Sequence, residues 1–296
     1  MYQLIKNYRG DSNYRSSFFD LAKKIFGLDF DIWYQKGCWN DQYICYSFVD
    51  EGQVIANASA NFLTVIKEGK PYKLIQLGTV MTAENYRRQG LAKQLIKTII
   101  ADYQDEVDGI YLFANETVLD FYPKIGFERQ IESNFTINHA TNRLEGQRGT
   151  DKQWRKLNPD NQDDWALLTD YSQRRLLNST QLDVIENEAL LGFYFMLAFK
   201  DKMYYSDTFK TIVLCEEIEK TLYLYDVLSL EKVKLKTLIT SLASKLSETT
   251  ELGFMSQDDS VVINSEEALD TDDYLFVLPG FVLPTAPFLF PLTSHG

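Results

Sequence analysis

The sequence predicts an α/β (α+β) fold built from two similar halves. An apolar, strand-like run at residues 74–81 is followed by apolar residues at helical spacing from residue 91 to residue 100, so a short loop joins a strand to a helix. The coarse order of strands, helix and strands recurs beyond residue 200. With 296 residues, the chain also exceeds the length of one typical domain.

In the first half, the apolar spacing predicts a helix at residues 13–26 and two strands, 43–49 and 54–65, around a turn. A strand at residues 110–114 and a short helix near Glu116 follow the loop-and-helix segment. The polar stretch 141–151, rich in Asn, Arg, Glu, Gly and Gln, is the predicted linker. The sequence therefore predicts domains at residues 1–142 and 152–296.

The loop between strand and helix, residues 80–92, has the chemistry of a pyrophosphate site. Backbone N–H groups at the start of a helix have no partner within the helix, and the helix dipole is positive there. Gly90 and Ala92 bring little side chain close to that backbone, and Arg87 and Arg88 can add charged hydrogen bonds. The loop alone is also compatible with an ordinary solvated helix start.

A second motif, residues 121–127 (Phe-Tyr-Pro-Lys-Ile-Gly-Phe), follows the strand at 110–114. Together, Arg87-x-x-Gly90-x-Ala92 and Tyr122-x-Lys124-x-Gly126-Phe127 resemble the two diagnostic motifs of the GCN5-related N-acetyltransferase (GNAT) family over about residues 1–140. The resemblance implies acyl-CoA N-acyltransferase-like domains, each a mixed, mostly antiparallel sheet flanked by helices. It also implies acetyl-CoA as co-substrate, no metal, and transfer of an acetyl group to a primary amine.

The resemblance further implies roles for individual residues. Tyr122 matches the tyrosine that lies near the thioester sulfur and acts as general acid; packing beside Phe121 and Pro123 is the alternative. Alignment on the loop brings the glutamate base of some members to Gln76, which cannot accept a proton. The residues expected to contact the co-substrate are Val80, Met81, Thr82, Arg87, Arg88, Gln89, Gly90, Leu91, Ala92, Asn115 and Lys124.

The acceptor side is less well defined by the sequence. Asp29, Asp31, Trp33 and Tyr34 lie where the family often builds its acceptor pocket, and helix capping or solvation is the alternative for the two acids. The two histidines, His139 and His295, are interpreted as isolated residues. A small amine, an aminoglycoside-like cation and a peptide or protein amine all stay open as acceptors. A noncatalytic acyl-CoA sensor is the alternative function.

The second half is predicted to be a degenerate copy. Strands are expected at 211–215, 221–228, 252–255 and 274–277, with helices starting at 163–164 and spanning 232–245. Where the first half has its loop, the second has Ser229-Leu230-Glu231-Lys232-Val233, with an acid and no glycine. This copy should therefore not bind coenzyme A. The proline-interrupted tail, including Leu283, Phe288, Leu289 and Phe290, is expected to cover a core or an interface.

Composition limits the partners. Residues 1–150 hold 17 Lys and Arg against 18 Asp and Glu, a balance of -1, so the remaining 13 and 24 leave -11 of the net charge of -12 on the second half. Such acidity disfavours nucleic acid and favours cationic amines, or serves solubility. The three dispersed cysteines and a polar N-terminus predict a reduced, cytoplasmic protein. No membrane association is expected, and a homodimer stays open.

Overall fold

The computed structural model describes residues 2–144, 154–269, 271–285 and 287–296. Within these ranges the strands form two sheets. The strands are β1 (Gln3–Lys6), β2 (Tyr43–Asp50), β3 (Gln53–Lys67), β4 (Lys70–Thr82), β5 (Gly109–Ala114), β6 (Glu128–Arg129), β7 (Ser133–Asn138), β8 (Arg155–Lys156), β9 (Leu182–Ile185), β10 (Met203–Ser206), β11 (Thr211–Ile218), β12 (Thr221–Ser229), β13 (Thr249–Leu252), β14 (Asn264–Glu267) and β15 (Tyr274–Val277).

The helices lie on the faces of these sheets. Helix α1 (Ser12–Phe26) begins where the Asp11 side chain accepts the N–H groups of Asn13 and Tyr14. It ends at Gly27, whose φ of 72° is left-handed. The α-helices are α1 (Ser12–Phe26), α2 (Phe30–Gln35), α3 (Leu91–Tyr103), α4 (His139–Asn142), α5 (Gln162–Arg174), α6 (Glu188–Phe193) and α7 (Leu235–Leu242), with short 3-10 turns at Glu84–Tyr86, Glu116–Val118, Pro123–Ile125 and Leu292–Ser294 and a π-helical turn at Tyr194–Ala198.

The first sheet has the order β1-β2-β3-β4-β5-β15-β6, and β9 also pairs with β3. Its strands are antiparallel except for β4 and β5, which are parallel. Helix α3 packs on one face with an apolar stripe of Leu91, Leu95, Ile96 and Ile99, and α1 and α2 pack on the other. This is the mixed, mostly antiparallel sheet expected for the first half.

The second sheet has the order β14-β7-β13-β12-β11-β10-β8, and it repeats this plan. Its parallel pair is β12 and β13, and α7 connects the two strands as α3 connects β4 and β5. Helix α7 is shorter than the predicted 232–245, and β13 begins three residues before the predicted 252–255 and ends at its first residue, Leu252. The predicted strand at 274–277 is confirmed as β15, but it lies in the first sheet.

The two sheets exchange a strand. Strand β15, from the end of the chain, lies between β5 and β6, whereas β7, from the first half, lies between β13 and β14. Strand β9, also from the second half, pairs with β3 in the first sheet, so the two sheets do not coincide with residues 1–142 and 152–296, and that division stays a prediction. The sequence could not indicate this, because short alternating strands carry no mark of their partner. The predicted linker lies outside the described residues from residue 145 onward.

The strand exchange predicts that residues 1–142 cannot fold alone. Without β15, the fragment loses Leu275 and Phe276, each 1% exposed, from the middle of its sheet, and β5 becomes an open edge. We expect an insoluble fragment, or one without a cooperative thermal transition. Soluble yield and melting curves of the fragment and the full chain measure this; a soluble fragment that unfolds cooperatively would contradict it.

The tail after β15 runs into the core shared by the two sheets. Phe288 and Phe290 are buried there, and the Phe290 ring stacks on Tyr111 of β5 with 4.8 Å between centroids. Farther along, the Thr293 hydroxyl donates to buried Asp226 at 2.5 Å, and the Tyr194 hydroxyl donates to the backbone oxygen of His295 at 2.7 Å. The tail thus forms part of the interface, as its apolar residues predicted, and it continues to the first sheet.

Candidate active site

A slot opens between the two parallel strands of the first sheet. The pairing of β4 with β5 ends at Leu77 and Leu112, although β4 continues to Thr82. A bulge in the pairing of β3 with β4, between Asn57 and Ser59, bends β4 away at this point. The backbone of residues 78–82 therefore faces β5 without pairing to it, so that an extended ligand arm could pair with this stretch.

Thr79 forms the bulge with a strained backbone. Its φ of 50° is left-handed, which is rare for a β-branched residue. Two buried side chains hold it: the Tyr43 hydroxyl lies 2.8 Å from the Thr79 hydroxyl, and the Asn57 amide donates to the Thr79 carbonyl at 2.9 Å. Through Ser59 and Ser47 these bonds continue to Tyr8, so a buried polar network fixes the mouth of the slot.

The loop after β4 leads directly to the N-terminus of α3. Arg88 and Gly90 have φ angles of 63° and 76°, and no side chain caps the helix that begins at Leu91. Arg87, Arg88, Gln89 and Gly90 are exposed. An uncapped helix start with two flanking arginines is a suitable site for a diphosphate.

The other residues predicted to contact the co-substrate surround this slot and loop. Val80 and Thr82 are half-buried, whereas the Met81 side chain is 3% exposed and packs toward α1 and α2, so only its backbone faces the slot. The Asn115 side chain caps the turn after β5 by accepting the N–H of Thr117 at 3.0 Å. Lys124 is exposed, and its backbone carbonyl accepts a hydrogen bond from the ammonium group of Lys93 at 3.1 Å. Lys93 follows Ala92 on the first turn of α3.

Tyr122 lies beside β15 with its ring packed and its hydroxyl unpaired. The ring contacts Phe121, Phe127 and Phe276, the last on β15, with centroids 5.1, 6.2 and 5.6 Å away. No described residue makes a hydrogen bond to the hydroxyl, which is not fully enclosed. Burial raises the pKa of Tyr122 to about 12, so the phenol keeps its proton at neutral pH. The hydroxyl is therefore protonated and free of a hydrogen bond to any described residue, as a proton donor must be.

Gln76, the position of the glutamate base in some family members, is fully buried on β4. Its Oε1 accepts the Asn61 amide at 3.1 Å, and its Nε2 lies 3.4 Å from the backbone oxygen of Gly296. A Cβ on Gly78 would lie 3.1 Å from the carbonyl carbon of Gly296, so the tail passes close to this strand and an added methyl group would press on it. The end of the tail therefore lies against the base of the slot.

His295 is a candidate functional residue that the sequence did not indicate. Its ring stacks on Phe113 of β5, with 3.5 Å between centroids, and its Nδ1 lies 3.4 Å from the Asp273 carboxylate. Hydrogen bonding to His295 lowers the pKa of Asp273. The His295 Nε2 is buried without a partner among the described residues. Only the strand exchange, which the sequence does not reveal, brings this histidine to the first sheet.

A cavity of about 420 Å³ opens beside His295. It lies between the two sheets. Glu132, Glu251, Asp272 and Asp273 line it together with Arg129 and Tyr225, so carboxylates outnumber guanidinium groups in the lining. Glu132 is also hydrogen-bonded by the Phe290 backbone N–H at 2.8 Å, and burial raises its pKa to about 6. The described residues include no group of three His, Cys, Asp or Glu side chains that could hold a metal ion.

The residues predicted for the acceptor pocket lie elsewhere. Asp29 caps α2 by accepting the N–H of Asp31 at 3.1 Å, and it pairs with Lys23. The Trp33 indole donates to the Ala189 carbonyl at 2.8 Å and is 2% exposed, and Tyr34 packs on Trp39. These contacts are those of a helix cap and an aromatic core between α2 and α6. The structure does not bring the four residues to the cavity beside His295.

The corresponding loop of the second sheet is closed by side chains. The Asp258 carboxylate accepts the Leu235 N–H at 3.1 Å, and the Ser260 hydroxyl accepts the Lys236 N–H at 3.2 Å. The first turn of α7 therefore has partners where α3 has none. An anion at this place would also meet the negative charge of Asp258 and Glu231.

Residues 14–127 match the model of the acetyltransferase (GNAT) family. They include α1, the slot, the loop, α3 and Tyr122, so this part of the chain is an acyltransferase domain of the GNAT family. No curated protein matches the sequence significantly. The described residues contain no helix that is long and apolar enough to span a membrane.

Solved structures extend the fold over both sheets. A conserved protein of unknown function from Enterococcus faecalis, a probable N-acyltransferase, has a TM-score of 0.59 at 18% identity over 95% of this chain and 71% of its own. Eis1 from Mycobacterium abscessus has a TM-score of 0.58 at 13% identity, over 93% of this chain and 73% of its own. A GCN5-related N-acetyltransferase from Kribbella flavida has a TM-score of 0.56 at 13% identity, over 93% of this chain and 71% of its own. At these identities the likeness is one of fold.

Proposed function

We propose that the protein is an N-acetyltransferase that transfers an acetyl group from acetyl-CoA to a primary amine. The slot carries this proposal: β4 leaves β5 after Leu77, has no strand partner on that side through Thr82, and leads to the uncapped N-terminus of α3. An extended thioester arm and a diphosphate thus meet suitable groups in the order in which coenzyme A presents them.

In this proposal, each part of the site has one task. The backbone of residues 78–82 orients the pantetheine arm, and the start of α3 with Arg87 and Arg88 holds the diphosphate. Tyr122 gives its proton to the departing sulfur, which is poorly stabilised as a free thiolate. Because burial raises the pKa of Tyr122, the proton that this role needs is present throughout the physiological range.

The cavity beside His295 is the proposed acceptor site. Four carboxylates, Glu132, Glu251, Asp272 and Asp273, line it with Tyr225, and this combination favours a cationic amine over a neutral or anionic acceptor. The site predicted around Asp29 lacks such an arrangement, because its side chains are used in a cap and a core. We therefore place the acceptor between the two sheets.

The test combines binding with turnover. Isothermal titration with CoA and acetyl-CoA measures the first, and release of the free thiol in the presence of spermidine, kanamycin or a lysine-containing peptide measures the second. We expect binding of both ligands and thiol release with at least one amine. Binding without turnover on any amine would favour a noncatalytic sensor, and absence of binding would contradict both functions.

The closed loop of the second sheet predicts one CoA per chain. Asp258 and Ser260 already satisfy the first turn of α7, and displacing them would expose a diphosphate to a carboxylate. Calorimetric titration of the full chain should therefore give a stoichiometry near one. A value near two would show that the second copy binds as well and would refute the degenerate assignment.

A further inference from the structure

We propose that His295, oriented by Asp273, is the general base that removes a proton from the acceptor amine. The inference rests on the proposed function. It supplies a general base, a role that Gln76 cannot have because its amide does not accept a proton. It assigns a catalytic role to a residue of the tail that follows β15, outside the part of the chain that matches the GNAT family model.

The state of the His295 ring is the first support. With Nδ1 donating to the Asp273 carboxylate 3.4 Å away, Nε2 is left with a free lone pair. This nitrogen is buried and has no partner among the described residues, although a buried polar atom without a partner is rare and destabilising. A proton donor supplied by an acceptor, directly or through one water, would satisfy it.

The position of the ring is the second support. Phe113, on which it stacks, lies two residues before Asn115 at the end of β5. Gly296, the next residue, contacts Gln76 and Gly78, where β4 leaves β5. His295 therefore lies next to both strands that form the slot, and it also lines the acidic cavity. The proposed base is therefore one of the residues that line the proposed acceptor site.

Several ionisable groups surround this ring. Asp273 precedes β15 and Glu132 precedes β7, and the Tyr194 hydroxyl bonds the backbone of His295. Arg129, Glu251 and Asp272 line the same cavity as His295. Glu132 has its pKa raised to about 6, so it also gains a proton as the pH falls through the range in which histidines titrate. A pH-rate profile of the parent protein alone therefore does not identify the base, and variants of His295 are required.

The proton balance of the reaction assigns the base a definite step. The acceptor nitrogen loses two protons on the way from ammonium to amide. His295 Nε2 accepts the first and passes it to solvent, so that the neutral nitrogen attacks the thioester carbon. The C–N bond forms, the C–S bond breaks, and the sulfur takes the proton of Tyr122. The second proton of the nitrogen returns through solvent to the Tyr122 oxygen, which restores the enzyme.

The test compares three variants of the full chain with the amine that the parent protein acetylates. His295→Gln keeps a polar side chain of similar size without a base, and it should lower kcat by about 10²- to 10⁴-fold. It should also remove the acidic limb that depends on His295. His295→Ala should regain rate as free imidazole is added. His139→Gln is the matched control, because that histidine bonds Ser247 and Thr250 in the second sheet.

The readouts distinguish the base from the function on which it rests. CoA affinity should match the parent in all three variants, and His139→Gln should stay within about threefold in kcat. A His295→Gln variant with kcat within threefold of the parent across pH 6–9 would contradict the role of His295 as base, and so would a loss of CoA affinity equal to its loss of turnover. Either result would leave the proposed transferase function intact. A parent protein that binds no CoA and acetylates none of the amines would overturn both.

Discussion

Replacing Tyr122 with phenylalanine should lower kcat by about 10²- to 10⁴-fold while CoA affinity hardly changes. The substitution removes one hydroxyl and keeps the ring. Because the ring makes the contacts with Phe121, Phe127 and Phe276, the packing beside β15 is preserved. The hydroxyl has no hydrogen bond to any described residue, so its removal costs the fold little.

The expected pH dependence of kcat distinguishes a proton donor from a packing residue. Burial raises the pKa of Tyr122 to about 12, so the proton is present below that value and would be lost only above it. Between pH 6 and pH 9 the loss in the variant should therefore be uniform, without a limb that belongs to Tyr122. A role in packing alone predicts instead that kcat stays close to that of the parent.

The measurement is steady-state kcat with the identified amine, beside a calorimetric CoA titration and a melting curve. Tyr171→Phe, which removes the hydroxyl of another buried tyrosine in the second half, is the matched control and should leave kcat unchanged. A Tyr122→Phe protein within threefold of the parent throughout the pH range would exclude the phenol as proton donor.

The local elements of the first domain could be predicted because they follow from nearby residues. Apolar spacing defines α1 and α3, and the strand-like run before the loop defines the end of β4, so both lie where the pattern indicates. The roles of the loop residues and Tyr122 stay proposals. What the sequence supported was their order around a strand and a helix, and in the structure the loop follows β4 and leads into α3.

The long-range parts could not be predicted. Nothing in Tyr274–Val277 indicates that this strand pairs with β5 of the other half, yet the position of His295 follows from that pairing. The sequence carried no sign of the contacts that His295 makes, because Phe113 and Asp273 are distant from it in sequence. The bulge at Thr79 likewise depends on Tyr43 and Asn57 from two neighbouring strands.

The acceptor pocket expected near Asp29 shows a different difficulty. An acid beside a tryptophan and a tyrosine is compatible with a cation site and with a helix cap above an aromatic core. The structure shows the cap and the core, with the Trp33 indole bonded to Ala189 of α6. Sequence could not separate the two, because the second half supplies the surface that buries Trp33. Aromatic residues near an acid predict a pocket only when no other element covers them.

Replacing Gly90 with aspartate should weaken CoA binding by about 30- to 100-fold. The new carboxylate would lie at the start of α3, where the proposed diphosphate meets the backbone, and like charges in a partly desolvated site cost about 2–3 kcal/mol. Because Gly90 has a φ of 76°, any side chain adds some backbone strain. The charge must therefore be separated from the strain.

Gly90→Asn provides that separation. Asparagine has the shape of aspartate without its charge, and both residues tolerate a left-handed backbone. We expect the asparagine variant to bind CoA with an affinity within a few fold of the parent, and the aspartate variant to show the whole roughly 30- to 100-fold loss of affinity. The melting curves of the two variants should be similar. Titration with pantetheine, which lacks the diphosphate, should not distinguish them. Equal CoA affinity in the two variants would show that this loop does not hold the diphosphate.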